Sequence, residues 1–297
     1  MRITQNYSIN SLLERINDAR ERIYTLQRNL ATGKRINTLS DDPENIEAVL
    51  RYKKLLKTQE KFQQNIGNAL DFMYISSQAL DDAAQTLAHA KELALKGINN
   101  TDNDAWAGLA EQVNQLLKEM VDISNTRFQD RYVFGGTFTS QKPFQLSADE
   151  TAVISNPNGV NGHLKIEYGV HAVEQYNITG QDAFLQNVDV FQVLIDLRDA
   201  LTAQDVGGIQ GVLDKLDQAT NQIIQQNGAL GGLIQRFELY LEQYQNQEAK
   251  LQEFLSRVED TDMAEAISEL QLQETGLNAA LEVLARTLNI SLMDFIS

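Results

Sequence analysis

Apolar and small residues recur at alternating three- and four-residue intervals near both ends of the chain. This spacing places them on one face of an α-helix and is typical of helices that pack against other helices. The first stripe consists of Ile9, Leu12, Ile16, Ala19, Ile23, Leu26 and Leu30. The second stripe consists of Leu277, Leu281, Leu284 and Leu288. The pattern predicts two amphipathic terminal helices that pair through these faces.

The interior of the chain shows the same periodicity over longer segments. Asp42-Pro43-Glu44 has the residues favoured at a helix start, and an apolar stripe follows, so we expect a helix from Pro43 to Gly97. Further periodic segments predict the remaining helices at 106–123, 190–201 and 209–258 and from Asp262 onward. Stripes held over such lengths are typical of helical bundles and coiled coils.

Three glycines, Gly228, Gly231 and Gly232, lie inside the periodic segment 209–258. Glycine in the interior of a helix costs about 1 kcal/mol relative to alanine. These positions therefore either allow another helix to approach closely or mark a break in the helix, and the sequence favours neither alternative.

Residues 131–183 differ from the helical segments around them. Two Asn-Gly pairs, Asn158-Gly159 and Asn161-Gly162, indicate tight turns, and apolar residues then alternate with charged ones up to Gly169. Segments 151–155 and 163–169 could pair as a hairpin around these turns. We therefore expect a small β-rich insertion between two helical halves of the chain.

Together these patterns predict a mainly α fold. We expect a long antiparallel helical bundle or coiled-coil rod, formed by the N- and C-terminal halves, with a small β-rich inserted domain. The expected domains are a terminal-helix assembly domain at 1–42 and 259–297, a helical rod domain at 43–130 and 184–258, and the β-rich insertion at 131–183.

The charge distribution gives the terminal helices a second reason to pair. Residues 1–60 carry 11 Lys/Arg and 8 Asp/Glu, whereas residues 241–297 carry 3 Lys/Arg and 11 Asp/Glu. Segments of opposite net charge attract each other. The whole chain has a net charge of −16, which argues against binding to nucleic acid because phosphate contacts need a basic surface.

The sequence shows no constellation typical of an enzyme or a metalloprotein. It has no cysteine, and His89, His163 and His171 lack a second histidine at the spacing of a zinc-binding helix. The carboxylate pair Asp41-Asp42 is explained by helix initiation, and Asp81-Asp82 by a polar helix face. We therefore expect no catalytic residue, no cofactor and no metal site. The absence of a long apolar run predicts no membrane association and no cleavable signal peptide.

Several motifs resemble those of the bacterial flagellin family, and they occur in the family's order. Leu30–Pro43 resembles the N-terminal signature of flagellins, and Arg257–Ala266 resembles their C-terminal motif. Ser124–Thr137 with Pro143-Phe144, and the ending Asn289–Ile296, resemble the hook-associated members of the family more than flagellin itself.

The resemblance implies a structural adaptor of the bacterial flagellum, which joins the hook, via another hook-associated protein, to the flagellin filament. It implies a homo-oligomer, as a ring or helical turn, with the first hook-associated protein, flagellin and a type III export chaperone as partners. It also implies an extracellular location in the flagellum. The expected assembly interface on the terminal helices comprises Ile9, Leu12, Ile16, Ile23, Leu26, Leu30, Leu277, Leu281, Leu284 and Leu288.

The sequence is also compatible with other functions, which differ in the features they require. The nearest alternative is a flagellin filament subunit, which belongs to the same family. A type III translocator would need a strongly apolar segment, and an enzyme would need a site; the sequence offers neither. Because isolated amphipathic helices are marginal in water, we also expect both termini to be largely disordered in the free monomer and to fold on association.

Overall fold

The chain contains six α-helices and six short β-strands among its described residues. The computed structural model describes the backbone of residues 2–100 and 103–296, and the side chains of residue 7 and of residues 9–100 and 105–286. The helices are α1 (Arg2–Thr32), α2 (Ile46–Ile98), α3 (Asn103–Ser124), α4 (Val190–Thr202), α5 (Val206–Glu259) and α6 (Met263–Ile296). The predicted mainly α fold, with a long helix in each half and a β-rich segment between them, is confirmed.

The helix ends follow the local signals in the sequence. α1 stops before Gly33, whose φ of 70° is left-handed and suits glycine. Asp262 caps α6, because its Oδ1 accepts hydrogen bonds from the backbone N–H groups of Ala264 and Glu265 at 2.9 and 3.1 Å. α2 begins at Ile46, three residues after the predicted start, since residues 42–45 form a turn that is closed by the Asp42 side chain.

The strands form three separate antiparallel pairs of neighbouring strands. These pairs are β1 (Arg127–Phe128) with β2 (Arg131–Tyr132), β3 (Phe144–Leu146) with β4 (Val153–Ser155), and β5 (Lys165–Gly169) with β6 (Ala172–Gln175). The prediction that 151–155 pairs with 163–169 was wrong. β4 pairs instead with β3, and β5 pairs with β6. The two-residue connection between β5 and β6 closes a much shorter loop than the predicted hairpin, which costs less chain entropy.

No turn signal in the sequence predicts the hairpin of β5 and β6. Val170 and His171 connect the two strands, and His171 takes a φ of 59°, which is uncommon for a residue other than glycine. The Asn-Gly pairs lie instead in a loop held by Asn156, which donates from its side chain to Gln141 Oε1 at 3.2 Å. The strongest hairpin signal in the sequence therefore marks a connecting loop.

The chain divides into two compact units. The terminal unit comprises Met1–Thr58 and Gln247–Ser297, and the central unit comprises Gln59–Asn246. α2 and α5 each contribute residues to both units. The division into three domains stays a prediction.

The central unit has an extensive hydrophobic core. It is supplied by one face of α2, α3, α4 and α5 and by the base of the β-rich segment. Four phenylalanines form its aromatic centre, with ring centroids 4.9–5.6 Å apart in the contacting pairs: Phe134, Phe144, Phe184 and Phe191. Edge-to-face and tilted contacts of this kind add to the burial of the rings. The core therefore ties the β-rich segment to the helices.

A buried glutamine fixes the segment between the β-rich region and α4. Gln222 on α5 is 3% exposed, and its Oε1 accepts from the backbone N–H groups of Asn187 and Val188 at 2.9 and 3.1 Å. Its Nε2 donates to the carbonyls of Ala183 and Val188. All of the side chain's polar atoms are satisfied, which offsets the cost of burying them.

Gly228, Gly231 and Gly232 neither break α5 nor admit a neighbour within the chain. α5 continues through Gly228, Gly231 and Gly232, and a Cβ added at any of them would meet no atom within 4 Å. Both alternatives considered from the sequence are therefore wrong for the single chain. Gly97 on α2 differs, because an added Cβ would lie 2.7 Å from Leu201 Cδ2.

We expect Gly228→Ala to stabilise the central unit by about 0.5–1 kcal/mol, because alanine is the better helix former and the site is open. Urea denaturation followed by the fluorescence of Trp106, the chain's single tryptophan and 5% exposed in the central unit, measures this change. Gly97→Ala is the control and should destabilise by about 1 kcal/mol through overpacking. Lower stability of Gly228→Ala would mean that a neighbouring group does occupy that space.

Candidate assembly surface

The terminal unit is built around the contact between α1 and α6. The backbone N–H of Thr261, just before α6, donates to the carbonyl of Gly33, just after α1, at 3.0 Å. Since α6 begins where α1 ends and the two helices are in contact, they run antiparallel. A surface groove lined by α1 residues 18–26 and by Glu269 of α6 follows the pair. The terminal unit thus brings the two predicted stripes onto neighbouring helices.

The predicted interface residues are only partly covered in a single chain. Ile16 is 3% exposed, and Leu281 is 36% exposed. The half-buried members are Ile9, Leu12, Ile23, Leu26, Leu30, Leu277 and Leu284. The side chain of Leu288 lies outside the described residues. The stripes therefore keep much of their apolar surface accessible to a further molecule.

The terminal unit buries very little apolar surface for its length. Among its described residues, four hydrophobic side chains are buried: Ile16, Ile36, Val49 and Ala266. Twelve large hydrophobic side chains are exposed in the same unit, including Tyr7 at 78%, Tyr24 at 69% and Leu272 at 70%. Exposed apolar residues at this density are typical of surfaces that associate with other proteins.

The connector between α1 and α2, residues 33–45, is fixed to the junction between α5 and α6. The backbone N–H of Arg35 donates to the Glu259 carbonyl at 2.7 Å, and its guanidinium donates to the Val258 carbonyl at 2.9 Å. The same guanidinium lies 2.8 Å from Asp42 Oδ2. Together with the bond from Thr261 to Gly33, these contacts hold together the chain segments from which α1 and α6 extend.

The contacts between residues 33–45 and the junction of α5 and α6 form an anchor. The buried carboxylate of Glu259 lies at the centre of this anchor. The side chain of Glu259 is 4% exposed, and its Oε1 lies 3.1 Å from Lys34 Nζ and 2.6 Å from Lys53 Nζ. Burial by itself would raise the pKa of Glu259, but the hydrogen bonds and charges of the two lysines outweigh it and lower the pKa below its ordinary value. One carboxylate thereby connects the connector, α2 and the end of α5.

A second carboxylate shapes the connector itself. Asp41 Oδ2 accepts from the backbone N–H groups of Asn37 and Thr38 at 2.9 and 2.7 Å, and its Oδ1 accepts from Arg28 at 2.9 Å. Burial acts to raise the pKa of Asp41, but these hydrogen bonds dominate and lower it to about 2. The sequence explained Asp41-Asp42 by helix initiation, and the structure assigns that role to Asp42 alone.

Glu259 was not identified from the sequence, although a signal was present. Leu251 and Leu255 are both half-buried, and Glu259 follows at the next four-residue step. An acidic residue at an apolar position of a stripe indicates a buried charge with a partner. The partners, Lys34 and Lys53, lie 225 and 206 residues away in the sequence, so their identity depends on the fold.

The described residues show no cluster of side chains suited to metal binding. His89, His163 and His171 are all exposed, and no group of three metal-binding side chains comes together in the part of the chain that was searched. None of the helices searched combines the length and the apolar character needed to cross a membrane.

We expect Glu259→Gln to loosen the anchor by about 1–2 kcal/mol at neutral pH, because a charge-assisted hydrogen-bond centre is replaced by a neutral one. Faster amide exchange at Arg35 and Thr261 measures the loss. The native pKa of Glu259 lies below the ordinary value of a glutamate, so the wild-type advantage is fully present above that ordinary pKa and disappears as the pH falls through the native pKa.

The matched control for this prediction is Glu253→Gln. Glu253 is an exposed residue of α5 that pairs with Arg257 one helical turn away. Its replacement should change exchange at Arg35 and Thr261 very little, since exposed pairs contribute little to stability. Equal effects of the two variants, or a Glu259→Gln effect that persists unchanged in acid, would contradict the role given to Glu259.

Sequence comparisons place the chain among flagellar proteins. The model of the bacterial flagellin N-terminal helical region matches residues 3–139, and the model of the C-terminal helical region matches residues 213–296. Flagellin of Bacillus subtilis is 25% identical over 300 residues, which cover 96% of each chain. Flagellin of Halalkalibacterium halodurans is 23% identical over 81% of this chain and 78% of its own.

Solved structures share the fold. FlgL of Bacillus cereus matches with a TM-score of 0.59 at 19% identity, over 69% of this chain and 99% of its own. The flagellar junction protein FlgL of Legionella pneumophila matches with a TM-score of 0.58 at 14% identity, over 71% of this chain and 100% of its own. The chain belongs to the bacterial flagellin family, whose members are non-enzymatic structural components of the flagellum.

Proposed function

We propose that this chain is a structural adaptor that joins the hook of the flagellum to the flagellin filament. The observation that carries the proposal is the match to FlgL structures along nearly their full length, one of which is described as a flagellar junction protein. The ending Asn289–Ile296 and the segment Ser124–Thr137, which resemble hook-associated proteins, point the same way.

The terminal helices are the proposed means of assembly. The terminal unit has four buried hydrophobic side chains among its described residues, so α1 and α6 gain most of their stability when further copies cover their apolar faces. The interface comprises the ten stripe residues Ile9, Leu12, Ile16, Ile23, Leu26, Leu30, Leu277, Leu281, Leu284 and Leu288. The anchor at Glu259 holds the connector from which both helices extend.

The proposed partners follow from the adaptor role. Copies of the chain form a ring or helical turn, which contacts another hook-associated protein on one side and flagellin on the other. The chain reaches this extracellular position through the flagellar type III pathway, with the help of an export chaperone. A terminal unit with little core of its own suits export in an unfolded state, because little structure has to be undone.

A flagellin filament subunit is the second candidate function. The observation that favours it is the match to Bacillus subtilis flagellin over 96% of both chains. A filament subunit and a junction protein use the same terminal helices, so the terminal unit supports both roles equally. The two candidates differ in the position and number of copies in the flagellum.

Deletion of the gene in the source bacterium separates the two functions. If the chain is the junction adaptor, cells should keep their hooks, lose their filaments and release flagellin into the medium, because the filament has no base to assemble on. If the chain is a minor filament subunit, filaments should remain. Immunogold labelling gives an independent result: a single site at the filament base supports the adaptor, and labelling along the filament overturns it.

We expect Leu26→Asp to reduce self-association of the purified protein by at least about tenfold, because a carboxylate on the apolar stripe must be desolvated at the interface. Analytical ultracentrifugation over a concentration series measures this. The matched control is Gln27→Asp, which adds the same charge one position away at an exposed residue. Equal loss in both variants would indicate a charge effect and contradict the stripe as the interface.

The expectation that both termini are disordered in the free monomer stays a prediction. The small buried apolar area of the terminal unit supports it, since a helix pair needs more covered surface to outweigh the entropy of ordering. Strong amide protection of residues 9–30 in dilute, monomeric protein would contradict it.

A further inference from the structure

A cavity of about 270 Å³ opens in the central unit where α2 meets the first and third strand pairs. Its aromatic lining residues are Phe72 of α2, Phe128 of β1 and Tyr176, which follows β6. The Phe72 ring makes edge-to-face contacts with Phe128 and Tyr176 at centroid distances of 6.4 and 5.4 Å. The remaining lining residues are Asn65, Asn68, Ala69, Gln129, Arg131, Lys165 and Ile166.

Two cations of this cavity have no carboxylate within 4 Å among the described residues. The central unit contains eleven Lys and Arg residues, and eight of them lie within 4 Å of a carboxylate. Among the described residues, the three without such a partner are Arg131, Lys142 and Lys165. Two of these three, Arg131 and Lys165, line this one cavity. The chain as a whole has 41 acidic residues, yet none of the ten lining residues is acidic.

Neighbouring carboxylates are engaged elsewhere. Glu167 follows Lys165 by two residues on β5, and its side chain pairs with Lys61 at 3.1 Å. Glu174 lies opposite Ile166 on β6, and its side chain pairs with Arg236 at 3.0 Å. The positive charge at the cavity is therefore not cancelled by the acids closest to it in the strand pair.

Arg131 and Lys165 lie on strands whose positions are fixed by backbone pairing and side-chain hydrogen bonds. Arg131 begins β2 after a tight turn in which Gln129 takes a φ of 55°, and its guanidinium lies 6.0 Å from the centre of the Phe72 ring. Lys165 pairs with Gln175 in the strand pair of β5 and β6. Asn65 ties α2 to this strand pair by donating to the Glu167 carbonyl at 2.9 Å. A site with this support loses less entropy when it binds a ligand.

From these observations we infer that the cavity is a socket for an acidic side chain from a second copy of this chain. The socket offers an ammonium, a guanidinium and side-chain amides, which are the groups that bind a carboxylate. A second copy carries the same net charge of −16 and therefore presents many carboxylates. Assembly places them near the socket at high effective concentration, so a contact that is weak between free molecules becomes occupied.

This socket rests on the proposed self-assembly and adds a contact outside the terminal helices. It places a favourable ion pair between two strongly acidic molecules, which otherwise repel each other. The repulsion is reduced where a carboxylate of one copy meets Arg131 and Lys165 of the next. The socket thereby helps to select the relative position of neighbouring copies.

Carbodiimide cross-linking tests this inference, because the reagent joins a lysine amine to an adjacent carboxylate by an amide bond. Unlabelled and isotope-labelled full-length chains are mixed at concentrations where sedimentation shows association, and are then cross-linked. Mass spectrometry of mixed-isotope peptides reports bonds between copies alone. Lys142 is the matched control, because among the described residues of the central unit it is the other lysine without a carboxylate within 4 Å, and it lies outside the cavity.

We expect bonds between copies to form at Lys165 at least about fivefold more often than at Lys142, which is the factor that a favourable exposed ion pair supplies. Arg131→Gln should remove most of this preference, whereas Lys142→Gln should leave it unchanged. The bond between Lys61 and Glu167 within one copy serves as a positive control for the reaction.

The outcomes separate the socket from the assembly. If the chains associate but Lys165 and Lys142 react equally, the socket is wrong and the proposed assembly stands. The socket is also wrong if Lys165 is bonded within its own copy alone, or if inorganic phosphate at millimolar concentration abolishes the Lys165 bonds without changing association. A chain that remains monomeric at every concentration overturns both the socket and the proposed assembly.

Discussion

The terminal helices depend on one constraint: α1 and α6 carry more apolar surface than a single copy covers. Their contact buries Ile16 and Ala266 but leaves Tyr7, Tyr24 and Leu272 largely exposed. Burial of apolar surface is the main favourable term in folding, so this unit is complete when other molecules cover the remaining faces. Under the proposed assembly, the small buried core of the single copy also leaves little structure to undo before export.

The anchor at Glu259 gives a defined geometry to the segments that join the end of α1 and the start of α6. Apolar burial in the terminal unit does not supply this geometry. Apolar contacts are non-directional, whereas hydrogen bonds to a carboxylate require particular positions of their donors. Lys34 and Lys53 meet one oxygen of Glu259, and Arg35 fixes the neighbouring backbone. The connector is thereby held by polar contacts even where little apolar surface is covered.

The central unit, in contrast to the terminal unit, buries an extensive hydrophobic core within one copy. Its core includes the cluster of Phe134, Phe144, Phe184 and Phe191, and most of its cations are paired within the copy. Against this background Arg131 and Lys165 stand out, because they are two of the three cations among the unit's described residues that have no carboxylate within 4 Å, and they line the same cavity. A central unit with an extensive core, in the same chain as a terminal unit whose apolar side chains stay exposed in one copy, is consistent with a protein that must be stable and must also associate.

The sequence by itself determined the features that depend on local order: the six helices, the turn closed by Asp42, the cap at Asp262, the turn at Gly33 and the stripes at both ends. Their causes lie within a few residues, as periodicity or backbone preference. The tertiary structure alone decided the strand pairing, the open surroundings of Gly228, the partners of Glu259 and the placement of Arg131 and Lys165 at one cavity. Each of these depends on which distant segments come together, and local patterns do not encode that.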